Sequence, residues 1–129
     1  MLKAVVDHLY SKGGFMMKKR KLNILWTNAD LNTSKLMVLM YTNNAIKQGW
    51  WDEVRVIIWG ATAKLVAENK DIQALIKTAQ ATGVKFSACI ACATELGVVE
   101  DIKALDIELI KWGAPLTEII QKEEKLLTI

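Results

Sequence analysis

The feature that most constrains this chain is its alternation. Short apolar runs, rich in β-branched residues, take turns with longer stretches that carry helix signals. "LNILWT" (Leu22–Thr27), "EVRVIIWG" (Glu53–Gly60) and "VKFSA" (Val84–Ala88) read as buried strands. A fourth lies at roughly Ile107–Lys111, and "KLLTI" at the end reads as a short fifth. After the first run, Asn32, Thr33 and Ser34 offer N-caps, and a largely apolar helix stops near Gly49. Residues 61–83 carry one or two helical pieces, with Asn69 or Asp71 capping the second and Gly83 ending it. "CIACATELG" reads as a short helix closed by Gly97, and "APLTEIIQKEE" as a helix with Pro115 in its first turn, where a missing N–H is harmless. The strands lack polar alternation, as expected when both sheet faces are covered. Alternating elements of this kind make βαβ units with right-handed crossovers. The fold class is therefore α/β, with a mostly parallel sheet of about five strands.

The chain of 129 residues suits one domain, and its 52% hydrophobic content suits a globular core. Residues 17–129 form that domain. Residues 1–16 read as an N-terminal extension, or as a short helix ended at Gly13-Gly14. Asp7, His8 and Lys12 interrupt its apolar residues and its main charge cluster comes last, which is not the order of a signal peptide. No stretch reaches the ~18 apolar residues of a membrane span. A soluble, cytoplasmic protein is expected, with no membrane partner. The net charge of +3 owes much to "KKRK" (Lys18–Lys21). A nucleic-acid binder spreads its Lys and Arg over a face or stripe. This cluster reads instead as solvated charge before a buried strand, so no nucleic-acid partner is expected. Met37 and Met40 read as core packing. Trp50 and Trp51 read equally as interface aromatics or as cover for the sheet edge.

Ligands of open parallel sheets bind beyond the carboxyl ends of the strands. Thr27, Asn28 and Asp30 follow the first strand, Gly60, Ala61 and Thr62 the second, Cys89 the third, and Trp112 and Gly113 the fourth. Trp26 and Trp59 stand at their strands' ends. Cys89 falls at or next to a helix N-terminus, where unpaired N–H groups favour a thiolate. Cys92, the one other cysteine, is a turn further on, so its thiol either approaches Cys89 or turns to the core. Two cysteines and the single His8 are too few for a zinc site, so neither a metal nor a cofactor is expected. No phosphate-binding glycine loop is present, and one histidine far from the cysteines builds no Ser-His-Asp triad. A C-x-x-C pair before a helix also fits a redox dithiol, although the order of elements is not that of thioredoxin. Three readings stay open at this point: inert core cysteines, a Cys89–Cys92 redox switch, and a nucleophilic Cys89 that takes up sulfur as a persulfide.

The segments "NILWTNAD", "EVRVIIWGATAKLV", "GVKFSACIACATELGV" and "ALDIELIKWGAPLTEIIQKEEKLLTI" together resemble the DsrE/DsrF/TusD-like family of small sulfur-relay proteins. The resemblance covers about Lys21 to Ile129. It implies a three-layer α/β/α sandwich that assembles into homotrimers, homohexamers or related hetero-hexamers. It also implies a persulfide carrier that takes sulfur from a donor protein and gives it to an acceptor protein. Cys89 matches the sulfur-accepting position of active members, whereas Cys92 and residues 1–16 lie outside the family pattern. Trp26, Trp59 and Trp112 are expected to shield the site, and Asn28 and Gly60 to line it. Some members lack the cysteine. The alternative is therefore a non-catalytic oligomeric module of the same fold that binds a small ligand or partner.

Overall fold

The structure is a computed structural model, and it describes residues 19–129. The reading of residues 1–16 as extension or helix lies outside the described residues. Five strands, β1 (Lys21–Trp26), β2 (Glu53–Ile58), β3 (Lys85–Cys89), β4 (Glu108–Ile110) and β5 (Leu126–Thr128), form one sheet in the order β4-β3-β2-β1-β5. Every pairing is parallel. β1, β2, β3 and β4 step outward in one direction, and the chain then returns across the sheet to place β5 beside β1. Right-handed crossovers in opposite directions put their helices on opposite faces.

The first face carries most of the helices. Helix α1 runs through Leu31–Thr33, a π-helical stretch Ser34–Leu39, and Met40–Lys47. It is followed by α2 (Ala61–Glu68), α3 (Lys70–Thr82), α4 (Ile90–Leu96) and α5 (Val99–Lys103). Their inward residues Val38, Ala63, Val66, Ile72, Ile76 and Ile102 meet Ile24, Trp26, Val54, Val56, Ile58 and Ala88 of the strands in one large core. The second face is covered by α6 (Gly113–Gln121), whose Leu116 and Ile119 pack with Leu25, Ile57, Cys89 and Leu126. Strand side chains alternate between faces, so the two clusters share strands but not residues.

Several local expectations change. Asp30 caps α1, its carboxylate accepting the Thr33 N–H at 2.9 Å, in place of Asn32, Thr33 or Ser34. Asn69 is the cap of α3, accepting from the Ile72 N–H at 2.9 Å. The short helix α5 has no counterpart in the sequence reading. Met37 and Met40 are 37% and 50% exposed, so they do not fill the core as expected. Their neighbours Val38 and Leu39 take the inward positions. Trp50 is exposed, while Trp51 packs on the large core and donates to the Tyr41 hydroxyl at 3.0 Å.

Lys19, Arg20 and Lys21, at the entry to β1, are matched by Asp52 and Glu53 at the entry to β2. Arg20 pairs with Asp52 at 3.2 Å, and Lys19 and Lys21 approach Glu53 at 3.8 and 3.3 Å. Lys85 closes on the same Glu53 at 2.7 Å. The hydrogen bond from Lys85 is the largest of the effects that bring the Glu53 carboxyl down to about 2.

Candidate functional site

The site begins where β3 runs out. Cys89 is both its last residue and the N-cap of α4, with extended backbone angles of φ −71° and ψ 114°. An N-cap side chain turns back to accept an N–H of the first helical turn. Here the acceptor is sulfur: the Cys92 N–H donates to Cys89 Sγ at 3.5 Å. The far end of α4 is held by Gly97, whose φ of 70° favours glycine. Gly97 N–H bonds Thr94 O at 3.1 Å and Val98 N–H bonds Ala93 O at 2.9 Å, a Schellman closure. The cysteine turn is therefore fixed at both ends of a seven-residue helix.

Cys89 is 4% exposed, and Cys92 is half-buried. Both are free thiols. Burial pushes the Cys92 thiol up, and its hydrogen-bonding contact with Cys89 adds to that. The Gly60 backbone amide acts on the same thiol in the opposite direction. Gly60 reaches this position because β2 ends in a sharp turn, with φ 68° and ψ −130° at Gly60, directly before α2. A side chain there would meet no atom within 4 Å, so the backbone angle and not space calls for glycine. Thr62 locks the turn. Its hydroxyl donates to Trp26 O at 2.7 Å and accepts the Trp59 N–H at 3.1 Å.

The wall of the site is aromatic. Trp59 and Trp112 pack in the same cluster as Cys89 and Cys92. Trp112 is 1% exposed, and its indole N–H donates to Ser87 Oγ at 2.8 Å. The Arg55 guanidinium lies 4.8 Å from the centre of the Trp112 ring, and Arg55 Nε donates to Asn23 Oδ1 at 3.0 Å. A polar chain therefore crosses the second face from Asn23 on β1, through Arg55 on β2 and Trp112, to Ser87 on β3. It ends two residues short of Cys89, on the same face. Asn23 Nδ2 is buried with no partner among the described residues.

Of the residues picked from sequence, Cys89, Cys92, Trp59, Gly60 and Trp112 come together. Two do not join them. Trp26 packs in the large core, and its indole N–H donates to Asn28 O at 3.1 Å and Ser34 Oγ at 3.3 Å. Asn28 is exposed and turns its side chain to the Asp30 N–H at 2.9 Å. Register explains the difference between the tryptophans. Trp26 lies opposite Ile58 and shares its face, while Trp59 is one residue further along. Sequence reasoning missed Ser87 and Arg55. Their signal was polarity inside an otherwise apolar strand. Among the described residues no three His, Cys, Asp or Glu side chains group as a metal site. Among them, too, no helix is long and apolar enough to cross a membrane.

A family model described as the DsrE/DsrF-like family matches residues 21–129. Among solved structures, a conserved protein of unknown function from Bacteroides thetaiotaomicron, BT1422, is 38% identical, with a TM-score of 0.83. That match covers 85% of this chain and 95% of BT1422. The ychN protein of E. coli is 17% identical with a TM-score of 0.63, over 85% of this chain and 99% of its own, and shows likeness of fold. No curated protein matches the chain at a significant level.

Proposed function

This chain belongs to the DsrE/DsrF-like family, and on that premise we propose that it is a sulfur carrier working through Cys89. The observation that carries the reading is the place of Cys89. It ends an interior strand at the carboxyl edge of a parallel sheet, where such folds bind ligands, and its sulfur accepts a backbone N–H. In the reaction, the Cys89 thiolate attacks the outer sulfur of a donor persulfide. A Cys89 persulfide forms and the donor leaves as a thiolate, so no external oxidant is consumed. Attack by an acceptor thiol on the outer sulfur reverses the step and delivers the sulfur. The Cys92 N–H stabilises negative charge on Cys89 Sγ. Trp59 and Trp112 limit the access of water.

The donor and acceptor are proteins in this reading. The carrier is cytoplasmic and assembles as a homotrimer or homohexamer. The exposed Trp50, Met40 and Leu36 supply apolar surface for contacts between subunits.

The 4% exposure of Cys89 favours a second reading, a binding module of this fold whose cysteine is inert. One experiment separates the two. The Cys92→Ser variant, which keeps Cys89 alone, is treated with glutathione persulfide, desalted and given cyanide. A carrier yields about one thiocyanate per chain, and the Cys89→Ser variant yields none. A folded Cys92→Ser protein that yields none supports the inert module.

A further inference from the structure

The carrier reading uses the backbone N–H of Cys92 but assigns no role to its thiol, although this thiol lies against the reacting sulfur. We propose that Cys92 is a resolving thiol, which discharges a Cys89 persulfide as hydrosulfide and leaves a Cys89–Cys92 disulfide. The proposal rests on the carrier reading and deepens it.

Three observations support it. The first is reach. An N-cap residue and the third residue of its helix stand about 5–6 Å apart at Cα, within the range a disulfide spans. The Cys92 N–H bond to Cys89 Sγ and the contact between the two side chains show that the pair is already drawn together. The second is enclosure. Cys89 is nearly closed off from solvent, whereas Cys92 is half-buried beside it. A persulfide formed on Cys89 therefore meets Cys92 without any rearrangement of the fold. The third is direction. The backbone N–H of Cys92 bonds Cys89 Sγ, the atom that becomes the inner sulfur of the persulfide, and so holds that sulfur next to the residue that carries the second thiol. Attack there expels hydrosulfide, a weaker base than a cysteine thiolate and so the faster leaving group.

The step balances without an added oxidant. The Cys89 persulfide and the Cys92 thiol become one Cys89–Cys92 disulfide and one molecule of hydrogen sulfide. The outer sulfur takes two electrons and leaves as sulfide, and the two cysteine sulfurs are oxidised to the disulfide. The protons of the persulfide and of Cys92 leave with the sulfide. Resetting the site needs a dithiol reductant. Cys92 thereby makes the carrier self-limiting: sulfur that meets no acceptor is released, and the oxidised pair refuses a second load.

The test uses the full chain as wild type, Cys92→Ser, Cys92→Ala and Cys89→Ser. Each is given one equivalent of glutathione persulfide and desalted. Hydrosulfide is then followed with a bimane trap and the intact mass is read without reductant. The wild type is expected to release about one hydrosulfide per chain and end two hydrogens lighter than its reduced form, while both Cys92 variants hold their sulfur about tenfold longer or more. A wild-type persulfide that lasts as long as that of the Cys92 variants overturns the inference and leaves the carrier reading standing. Failure of both Cys92 variants to load overturns the carrier reading and the inference with it.

Discussion

The two faces of the sheet are built differently from the same strands. The first buries Ile24, Val54, Val56, Ile58 and Ala88 under several helices, and the residues that β1, β2 and β3 turn to it are apolar. Among the described residues the second has one covering helix, α6, and a polar row: Asn23, Arg55 and Ser87 inside, with Lys21, Glu53 and Lys85 at the strand starts, share the face with Leu25, Ile57 and Cys89. Polar groups in a sheet interior cost stability unless they find partners. Here Arg55 bonds Asn23, Trp112 bonds Ser87, and Glu53 gathers Lys19, Lys21 and Lys85. The comparison teaches a division of labour. The first face supplies the larger apolar burial, and the second holds the cysteine pair inside a polar and aromatic frame.

Truncation on the first face should give the largest effect on stability. Ile58 is wholly buried, so Ile58→Ala should cost about 2–5 kcal/mol in urea unfolding. Sulfur loading per folded chain should be unchanged. A loss of loading that matches the loss of stability would merge the two faces into one unit.

Acid should act on the second face. Glu53 is held near 2, below its ordinary 4.5, by the lysines around it, and its side chain is 14% exposed. A depressed carboxyl stabilises the fold fully above its unfolded value and loses that contribution as pH falls through the folded one. The loss therefore falls between about pH 4.5 and pH 2 and reaches at most about 3 kcal/mol. Unfolding curves of wild type and Glu53→Gln, compared at neutral pH and near pH 3, check this. The gap between them should narrow as pH falls.

A smaller change is expected at the frame. Ser87→Ala leaves the buried Trp112 N–H without its partner and should cost about 1–3 kcal/mol. Unlike Ile58→Ala, it should also change the rate at which Cys89 reacts, because Trp112 and Cys89 are buried in the same cluster. Alkylation of Cys89 at the peptide level is the readout, and an unchanged rate would remove Trp112 from the site.

Much of this was legible in the sequence, for identifiable reasons. The strands showed because their central residues are buried on both sides, as in "VII" of β2. Cys89 showed because a residue between an apolar run and a helix has to lie at the sheet's carboxyl edge. The polar row did not show. Asn23, Arg55 and Ser87 lie inside strands that read as nearly continuous apolar runs, and only the parallel register, with Asn23 opposite Arg55 and Ser87 opposite Ile57, gathers them on the face of Cys89. Parity was the missing information for Trp26 as well, since one residue of offset separates its face from that of Trp59. Asn28 was misjudged for a local reason. Its carboxamide is used in its own turn, by the Asp30 N–H. The position of β5 beside β1 depends on contacts across the sheet, which no local pattern encodes.

The central claim is that Cys89 is the residue that takes up sulfur. Peptide-level mass spectrometry of the Cys92→Ser and Cys89→Ser proteins, after brief exposure to a persulfide donor and alkylation, addresses it directly. The account predicts one added sulfur on the peptide carrying Cys89 in the first variant and none on any peptide of the second. A sulfur found on Cys92 in the second variant, at the rate seen for the wild type, would contradict it.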